Sequence, residues 1–249
     1  MNFFGRQIEL SEFIPPIFLR GYRKFCPRKN RRFHPFDCIP SDLKVQWIMD
    51  VGANVGDVAF AGLKSFPNSK IICFEPVKNT FAELEKKLFP FSGRVFLNNF
   101  ALGEKKEELE INISSFHGAN SICPQSELHK KLNPHVREQT TEKIMVMKLD
   151  EIAQQLPTSI VDVLKIDVEG YEKKVLLGGG NFISNNVDTV IIEISLMRDQ
   201  LNSKQCVFEI FSIMDSFCFK LTNCYDKHLS PNNELIQMDC CFRHQRFFK

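Results

Sequence analysis

The sequence contains no run of about 20 apolar residues, the length that a membrane-spanning helix requires. Its N-terminus also lacks the short apolar core and the small-residue cleavage site of a secretory signal peptide. The nine cysteines form no Cys-x-x-Cys pair of the kind used by zinc and redox sites. Cys240 and Cys241 are neighbours in a predicted strand, where adjacent side chains point to opposite faces, which disfavours a bond between them. These absences predict a cytoplasmic protein with reduced thiols.

The net charge is also small, at only +2, but the charged side chains are unevenly distributed. Residues 1–36 carry eight basic and two acidic side chains, and seven of the basic ones lie between Arg20 and Arg32. A solvated arm packed on the domain through residues 13–19 is the favoured interpretation, because most charge runs are simply solvated. Peripheral contact with an anionic substrate or membrane surface comes second. Nucleic-acid binding comes last, because no recognised nucleic-acid module accompanies the run.

Beyond this basic extension, residues 1–44, the chain is interpreted as one α/β domain over residues 45–249. Short apolar runs alternate there with amphipathic stretches, the pattern of a parallel sheet covered by helices. Strands are predicted at 45–51, 70–74, 94–98, 161–166 and 187–194, and helices at 57–66, 77–89, 169–177 and 204–216. Gly178-Gly179-Gly180 is predicted to end the third helix. Residues 218–221 and 235–242 predict a terminal antiparallel hairpin.

After the third predicted strand, an insertion interrupts this alternation of strands and helices. Polar and apolar residues alternate over 107–113 and 143–149, which indicates an inserted hairpin or an edge pair. Between them, residues 114–142 are rich in Ser, Asn, His and Pro. A long irregular loop inside a compact domain is typical of functional segments, so we interpret this one as a candidate substrate lid.

A glycine-rich turn, residues 50–56, connects the first strand to the first helix. Gly52 can adopt a positive φ and lets the backbone approach a ligand, while Gly56 permits close packing of helix on strand. The N–H groups of the helix N-terminus suit a carboxylate. The spacing Gly-x-Gly-x-x-Gly of dinucleotide sites is not met, because the corresponding positions hold Gly52, Asn54 and Asp57.

Glu75 ends the second strand, 25 residues beyond Asp50. An acidic side chain at this place can accept hydrogen bonds from both hydroxyls of a ribose. Asp50 can anchor the turn or meet the cationic end of a cofactor. Together the turn and Glu75 predict a nucleotide cofactor that is not a nicotinamide dinucleotide.

Four ordered blocks between Trp47 and Glu193 resemble the FkbM family of class I methyltransferases. The blocks are residues 50–56, Phe74-Glu75-Pro76, residues 99–103 and residues 164–172. The resemblance implies a Rossmann-like, seven-stranded, mostly parallel sheet with helices on both faces. It also implies S-adenosylmethionine as the methyl donor and, typically, O-methylation of a hydroxyl on a sugar, glycan or natural product.

The resemblance further implies a set of cofactor-binding residues, carried over by position. These are Asp50, Gly52, Ala53, Asn54 and Gly56 in the turn, Glu75 and Pro76 after the second strand, Ala101 and Leu102, and Asp167. Asp50, Gly52 and Asn54 would face the methionine moiety and Glu75 the ribose. Ala101 and Leu102 would contact the adenine, and Asp167 would lie beside the sulfonium and the acceptor.

Five polar residues are candidates for catalysis. Asp167 and Glu169 lie where a strand meets a helix, at the carboxyl edge where open α/β sheets bind ligands; Glu169 can instead cap the helix dipole. Lys165 is on the same side as Asp167 and can pair with it or hold a substrate oxygen. His117 in the lid can act as a base near neutral pH, or be merely exposed. Glu193 points to the same edge, with a structural pairing as the alternative.

Asp167, Glu169 and Glu193 also offer hard oxygen ligands for magnesium, but no ligand spacing compels a metal and none is predicted. The predicted partner is a small-molecule or glycan hydroxyl acceptor. Two rival functions stay open. One is a non-catalytic scaffold that binds the cofactor, since fold does not fix function. The other is an RNA or protein methyltransferase that uses the basic N-terminal arm.

Overall fold

The computed structural model describes residues 35–40, 43–114, 120–122, 138–196, 207–230 and 232–248. It also describes two short paired strands, β1 (Asn2–Phe3) and β2 (Arg6–Gln7). Most of the basic extension and of the candidate lid therefore lies outside the described residues, and so does His117. Within the described part, no helix is both long and apolar enough to cross a membrane.

The other elements alternate between strands and helices for most of the chain. In order they are β3 (Trp47–Val51), α1 (Asp57–Ser65), β4 (Lys70–Phe74), α2 (Lys78–Leu88), β5 (Val95–Asn98), β6 (Ala101–Leu102), β7 (Glu107–Ser114), β8 (Glu138–Met147), α3 (Leu149–Ile152), β9 (Val161–Ile166), α4 (Glu172–Gly178), α5 (Gly180–Asn186), β10 (Val187–Ser195), α6 (Val207–Ser216), β11 (Phe219–Leu229) and β12 (Leu235–His244).

Seven of the strands form one sheet in the order β11-β12-β10-β9-β3-β4-β5. The pairs from β10 to β5 are parallel, while β12 runs antiparallel to both β10 and β11. The predicted α/β fold, with its terminal antiparallel hairpin, is confirmed. The β9 strand lies at the centre of the sheet, and its carboxyl end therefore meets those of β3 and β10.

Helices cover both faces of this sheet, and its central strands are accordingly apolar in nearly every position. On one face Ile48, Ile71 and Val163 pack with residues of α1 and α2. On the other face the strands pack with residues of α4, α5 and α6. Cys240 belongs to the second core and Cys241 to the first, which confirms that these neighbours point to opposite faces.

The insertion after β5 is a separate three-stranded sheet in the order β6-β8-β7. The predicted hairpin is its antiparallel pair β7 and β8, and the short strand β6 adds a parallel pairing that the sequence did not indicate. The β8 strand begins at Glu138, five residues before the predicted start at Lys143. Its pairing with β7 continues to Ser114, so residues 138–142, predicted as part of the lid, belong to a strand.

The helix after β9 begins three residues later than predicted. It begins at Glu172 and not at Glu169, because Glu169 and Gly170 both have left-handed φ values, of 52° and 99°. The interpretation of Glu169 as a residue that caps the helix dipole is therefore wrong. The carboxylate of Glu172 instead accepts hydrogen bonds from the N–H groups of Val168 and Gly170.

Helix α4 ends at Gly178, as predicted, but a second helix starts two residues later. A Cβ atom on Gly178 would overlap the carbonyl oxygen of Gly103, so the glycine is explained by the close passage of these two backbones. The carboxylate of Asp150 accepts hydrogen bonds from the N–H groups of Asn181 and Phe182. This long-range contact satisfies the first turn of α5, which has no capping residue of its own.

Candidate active site

The turn after β3 brings three left-handed residues together, Gly52 (φ 81°), Asn54 (φ 50°) and Gly56 (φ 81°). The N–H groups of Gly52 and Ala53 both donate to the carbonyl of Phe74, at 3.0 Å. A Cβ atom on Gly52 would overlap the carbonyl oxygen of Asp167. The predicted need for glycine at position 52 is confirmed, and its cause is the close approach of the loop after β9.

Gly56 stands at the N-terminus of α1. A Cβ atom at this position would lie 2.6 Å from Cδ1 of Leu84, a residue of α2. The close packing predicted for Gly56 is therefore made with a helix and not with a strand. Its positive φ is a second reason for glycine at this position.

Glu75 lies at the end of β4 and is only 6% exposed. Its Oε2 accepts a hydrogen bond from the N–H of Asn54 (2.9 Å), and its Oε1 accepts one from the N–H of Val77 (3.0 Å). Each carboxylate oxygen can accept a second hydrogen bond, so both retain capacity for ribose hydroxyls. Burial raises the pKa of Glu75 to about 7, and the bonds from Val77 and Asn54 oppose this shift.

Asp50 lies in β3, directly between Cys73 of β4 and Lys165 of β9. Its carboxyl group is buried, and Oδ2 has no hydrogen-bond partner among the residues that the structure describes. Burial raises the pKa of Asp50 to about 7, and the neighbouring Lys165 ammonium opposes the shift. A buried oxygen without a partner is costly, so Asp50 is suited to receive a donor or cation from a ligand.

Lys165 lies on the same face of the sheet as Asp50, and its side chain is only 3% exposed. Its ammonium donates to Oδ1 of Asp239 at 3.1 Å and lies 3.5 Å from Oδ2 of Asp167. The predicted pairing of Lys165 with Asp167 is therefore present, and Asp239 shares the ammonium with it. Asp239 belongs to β12, which runs antiparallel to the other six strands of the seven-stranded sheet.

The carboxylates of Asp167, Glu169 and Glu193 converge at the carboxyl ends of β9 and β10. Each offers an oxygen, and these oxygens all lie within 4.8 Å of one another. The hydroxyl of Ser121 donates to the carbonyl of Glu169 at 2.7 Å. Residues 120–122, a described part of the lid segment, are thus attached to the loop that carries two of the three carboxylates.

Pro76, Ala101 and Leu102 connect this site to the inserted sheet. The carbonyls of Glu75 and Pro76 accept hydrogen bonds from Nδ2 of Asn99, at 2.9 and 3.0 Å. Ala101 and Leu102 form β6 and are buried, opposite Val146 and Met147 of β8. The residues predicted to contact adenine therefore stand beside the strand end that carries Glu75.

The structure thus brings the predicted residues of four separate blocks to one edge of the sheet, while His117 lies outside the described residues. Sequence reasoning missed Asp239 and Glu172. An acidic residue within the apolar strand Met238-Asp239-Cys240 is a signal that could have indicated the first. The second follows Gly170 by two residues, at a place where a side chain can reach back to loop N–H groups.

Residues 50–222 match the family model described as the methyltransferase FkbM domain, over more than half of the chain. The chain belongs to this family. S-adenosylmethionine is the cofactor that this membership assigns to it.

Two curated relatives and one solved structure illustrate the likeness. Methyltransferase 1 of Beauveria bassiana is 26% identical over 160 residues, which cover 59% of this chain and 64% of the relative. The 2-O-methyltransferase NoeI of Sinorhizobium fredii is 24% identical over 138 residues, 53% of this chain and 56% of NoeI. The crystal structure of methyltransferase FkbM from Methylobacillus flagellatus has a TM-score of 0.52 at 14% identity, covering 94% of this chain and 56% of that one.

The chain therefore spans less than two thirds of the length of each of these three proteins. The solved structure shares the fold. For the FkbM domain described here, the fit of the cofactor follows from the chain's own residues. The unpartnered oxygen of Asp50 suits a cationic group, and Glu75 keeps acceptor capacity for hydroxyls. The predicted roles of individual residues toward the cofactor stay predictions.

Proposed function

We propose that this FkbM domain transfers a methyl group from S-adenosylmethionine to a hydroxyl of a sugar, glycan or natural product. The observation that carries the proposal is the convergence of Asp167, Glu169 and Glu193 beside the cofactor turn. A neutral alcohol is a poor nucleophile, and a positioned base is a common remedy. A group of carboxylates at this edge supplies proton acceptors where the hydroxyl would approach.

The proposed cofactor site uses the turn and the two strand ends. Gly52 and Asn54 shape the backbone around the methionine moiety, and Asp50 faces its ammonium group. Glu75 accepts hydrogen bonds from the ribose hydroxyls, and Ala101 and Leu102 line the adenine. When bound, S-adenosylmethionine supplies a methyl group that is already activated by the sulfonium.

The remaining work of the protein is to align the acceptor oxygen and to exclude water. Asp167 follows β9, and its backbone is in contact with Gly52 of the cofactor turn. Its carboxylate therefore lies near the turn, where it orients the acceptor hydroxyl. A carboxylate of the cluster accepts the hydroxyl proton as the new bond forms. Lys165 remains paired with Asp239 and lies 3.5 Å from Asp167. His117 is a second proposed base, and the proposal involves no metal ion.

The name of the relative NoeI supports a hydroxyl acceptor, since that protein is described as a 2-O-methyltransferase. Its identity to this chain is 24%, so the acceptor of this chain is proposed by chemical class alone. The rival function of a scaffold that binds the cofactor without reaction would leave the three carboxylates without a role.

The proposal is tested by incubating the protein with radiolabelled S-adenosylmethionine and a panel of sugars, glycans and small hydroxylated compounds. We expect label on a hydroxyl oxygen of at least one acceptor. The Asp167→Ala variant should lower turnover strongly while the melting temperature stays near that of wild type. Cofactor binding without transfer to any member of the panel, or label on RNA or on a protein nitrogen, would contradict O-methylation.

A further inference from the structure

The buried Lys165 lies close to two carboxylates, those of Asp167 and Asp239. We propose that Asp239 is a positioning residue, which holds the Lys165 ammonium off Asp167 so that Asp167 keeps its negative charge for the cofactor sulfonium. The inference rests on the proposed function, because it takes Asp167 to be the carboxylate beside the sulfonium. Asp239 acts through Lys165 and is not itself in contact with the reacting atoms.

The distances from the Lys165 ammonium to these two carboxylates differ. The ammonium donates a hydrogen bond to Oδ1 of Asp239 at 3.1 Å, whereas its distance to Oδ2 of Asp167 is longer, at 3.5 Å. To reach Asp239, the side chain extends from β9 across the neighbouring strand β10. Glu193 of β10 is the register partner of Asp239, so Lys165 approaches a surface that is already acidic.

Burial makes this arrangement energetically important. The Lys165 side chain is 3% exposed, and those of Asp239 and Asp167 are 13% and 16% exposed. An ammonium group so far from water needs a charged partner, because an uncompensated buried charge is strongly destabilising. If Asp239 were neutral, the ammonium would move toward Asp167, which is already within ion-pair distance. Asp167 would then be neutralised by its neighbour and would attract a cation less well.

S-adenosylmethionine and S-adenosylhomocysteine provide a direct probe of that charge. The first carries a sulfonium and the second a neutral thioether, while the ribose, adenine and amino-acid parts are the same. The ratio of their two dissociation constants therefore reports the electrostatic potential at the sulfur. A change that merely loosens the fold weakens both ligands together and leaves the ratio unchanged.

The experiment measures both dissociation constants by calorimetry for wild type and for the Asp239→Asn variant. We expect the preference for S-adenosylmethionine to fall about fivefold, the scale of one unit charge rearranged in a partly buried site. Asp239→Glu should restore most of the preference. The matched control is Asp188→Asn, which removes a carboxylate near the opposite end of β10, where it pairs with Arg246. An unchanged ratio in the Asp239→Asn variant would overturn the inference.

Two further variants separate this inference from the proposed site. Asp167→Asn should lower the same ratio, and an unchanged ratio there would refute the placement of Asp167 beside the sulfonium. A fall for Asp167→Asn without a fall for Asp239→Asn would refute the role of Asp239 alone. In a Lys165→Met background, Asp239→Asn should have little further effect on the ratio. A full additional fall would mean that Asp239 acts directly and not through Lys165.

Discussion

Glu75 is a single carboxyl group that serves both the fold and the proposed cofactor site. It accepts hydrogen bonds from the N–H groups of Asn54 and Val77, and these bonds fix the turn relative to the end of β4. The same burial that makes these bonds valuable raises the pKa of Glu75 to about 7. The charged form accepts ribose hydroxyls best, so protonation near neutral pH is expected to compete with the cofactor.

The affinity for S-adenosylmethionine should therefore increase as the pH rises from 6 to 8. Binding favours the carboxylate forms of Glu75 and Asp50, whose pKa values are both raised to about 7, and so should release protons. Calorimetry in buffers of different ionisation enthalpy measures this release. The Glu75→Gln variant should bind more weakly and release fewer protons. Proton uptake by the wild type would contradict the expectation.

Gly52 is the other residue whose effect can be stated at this scale. A side chain there would have a strained φ of 81° and would overlap the carbonyl of Asp167. The Gly52→Ala variant should lose cofactor affinity by a factor of about 5 to 150, since strain of this kind costs about 1–3 kcal/mol. Gly93→Ala is the matched control, because a Cβ atom at Gly93 meets no atom within 4 Å. Equal affinities for the two variants would refute this explanation of Gly52.

At the level of single elements, the loop between β9 and α4 is held by a residue of the helix itself. Glu172 is buried, and its Oε1 accepts hydrogen bonds from the N–H groups of Val168 and Gly170. These two bonds maintain the left-handed turn at Glu169 and Gly170, which places the carboxylates at the sheet edge. The Asp167 backbone is fixed separately, by its N–H bond to the carbonyl of Val51 at 3.0 Å.

Replacing Glu172 with alanine should lower the free energy of unfolding by about 1–3 kcal/mol, because two loop N–H groups lose their acceptor. Urea denaturation of the protein measures this change. Glu151→Ala is a suitable control, since Glu151 is exposed in α3. A denaturation midpoint like that of wild type would mean that water or another group replaces the carboxylate.

Across the whole molecule, the buried carboxyl groups link stability to pH. Burial raises the pKa values of Asp50, Glu75 and Glu172 to about 7 in the folded protein. A carboxyl group with a raised pKa contributes stability that is fully present below its unfolded pKa and is lost as the pH rises through its folded pKa. The site thus lowers the stability of the ligand-free protein near neutral pH, and the cofactor should restore it.

This linkage predicts how the Glu75→Gln variant compares with wild type. At pH 4 the wild-type side chain is protonated and resembles glutamine, so the two proteins should be similarly stable. As the pH rises to 8, the wild type alone carries the cost of a buried charge, and the variant should become relatively more stable. Melting temperatures measured across this range without ligand check the prediction, and a stability difference that does not depend on pH would contradict it.

Local sequence signals predicted a large part of the fold and of the candidate site. The bounds of β4 and β9 agree with the prediction at both ends, because buried parallel strands are short, continuous apolar runs. Gly52 is predictable because glycine readily adopts a positive φ in a turn, and Glu75 because it is an acid at the end of an apolar strand. The role of Glu75 toward the cofactor stays a prediction. The helix boundary at Glu172 and the second helix α5 are not, since each depends on a hydrogen bond that the linear pattern does not contain.

The sequence alone determined which segments form the parallel strands, where the glycine-rich turn lies and which acids stand at strand ends. Tertiary structure decided which of them meet. Lys165 and Asp239 lie 74 residues apart and on strands separated by β10, so only the assembled sheet brings the ammonium to the Asp239 carboxylate. Likewise, Gly52 is required by the carbonyl of Asp167, more than a hundred residues later. The periodicity and composition of a segment indicate its local preference for helix, strand or turn. Contacts between distant strands depend on how the segments pack together, and no single segment determines that packing.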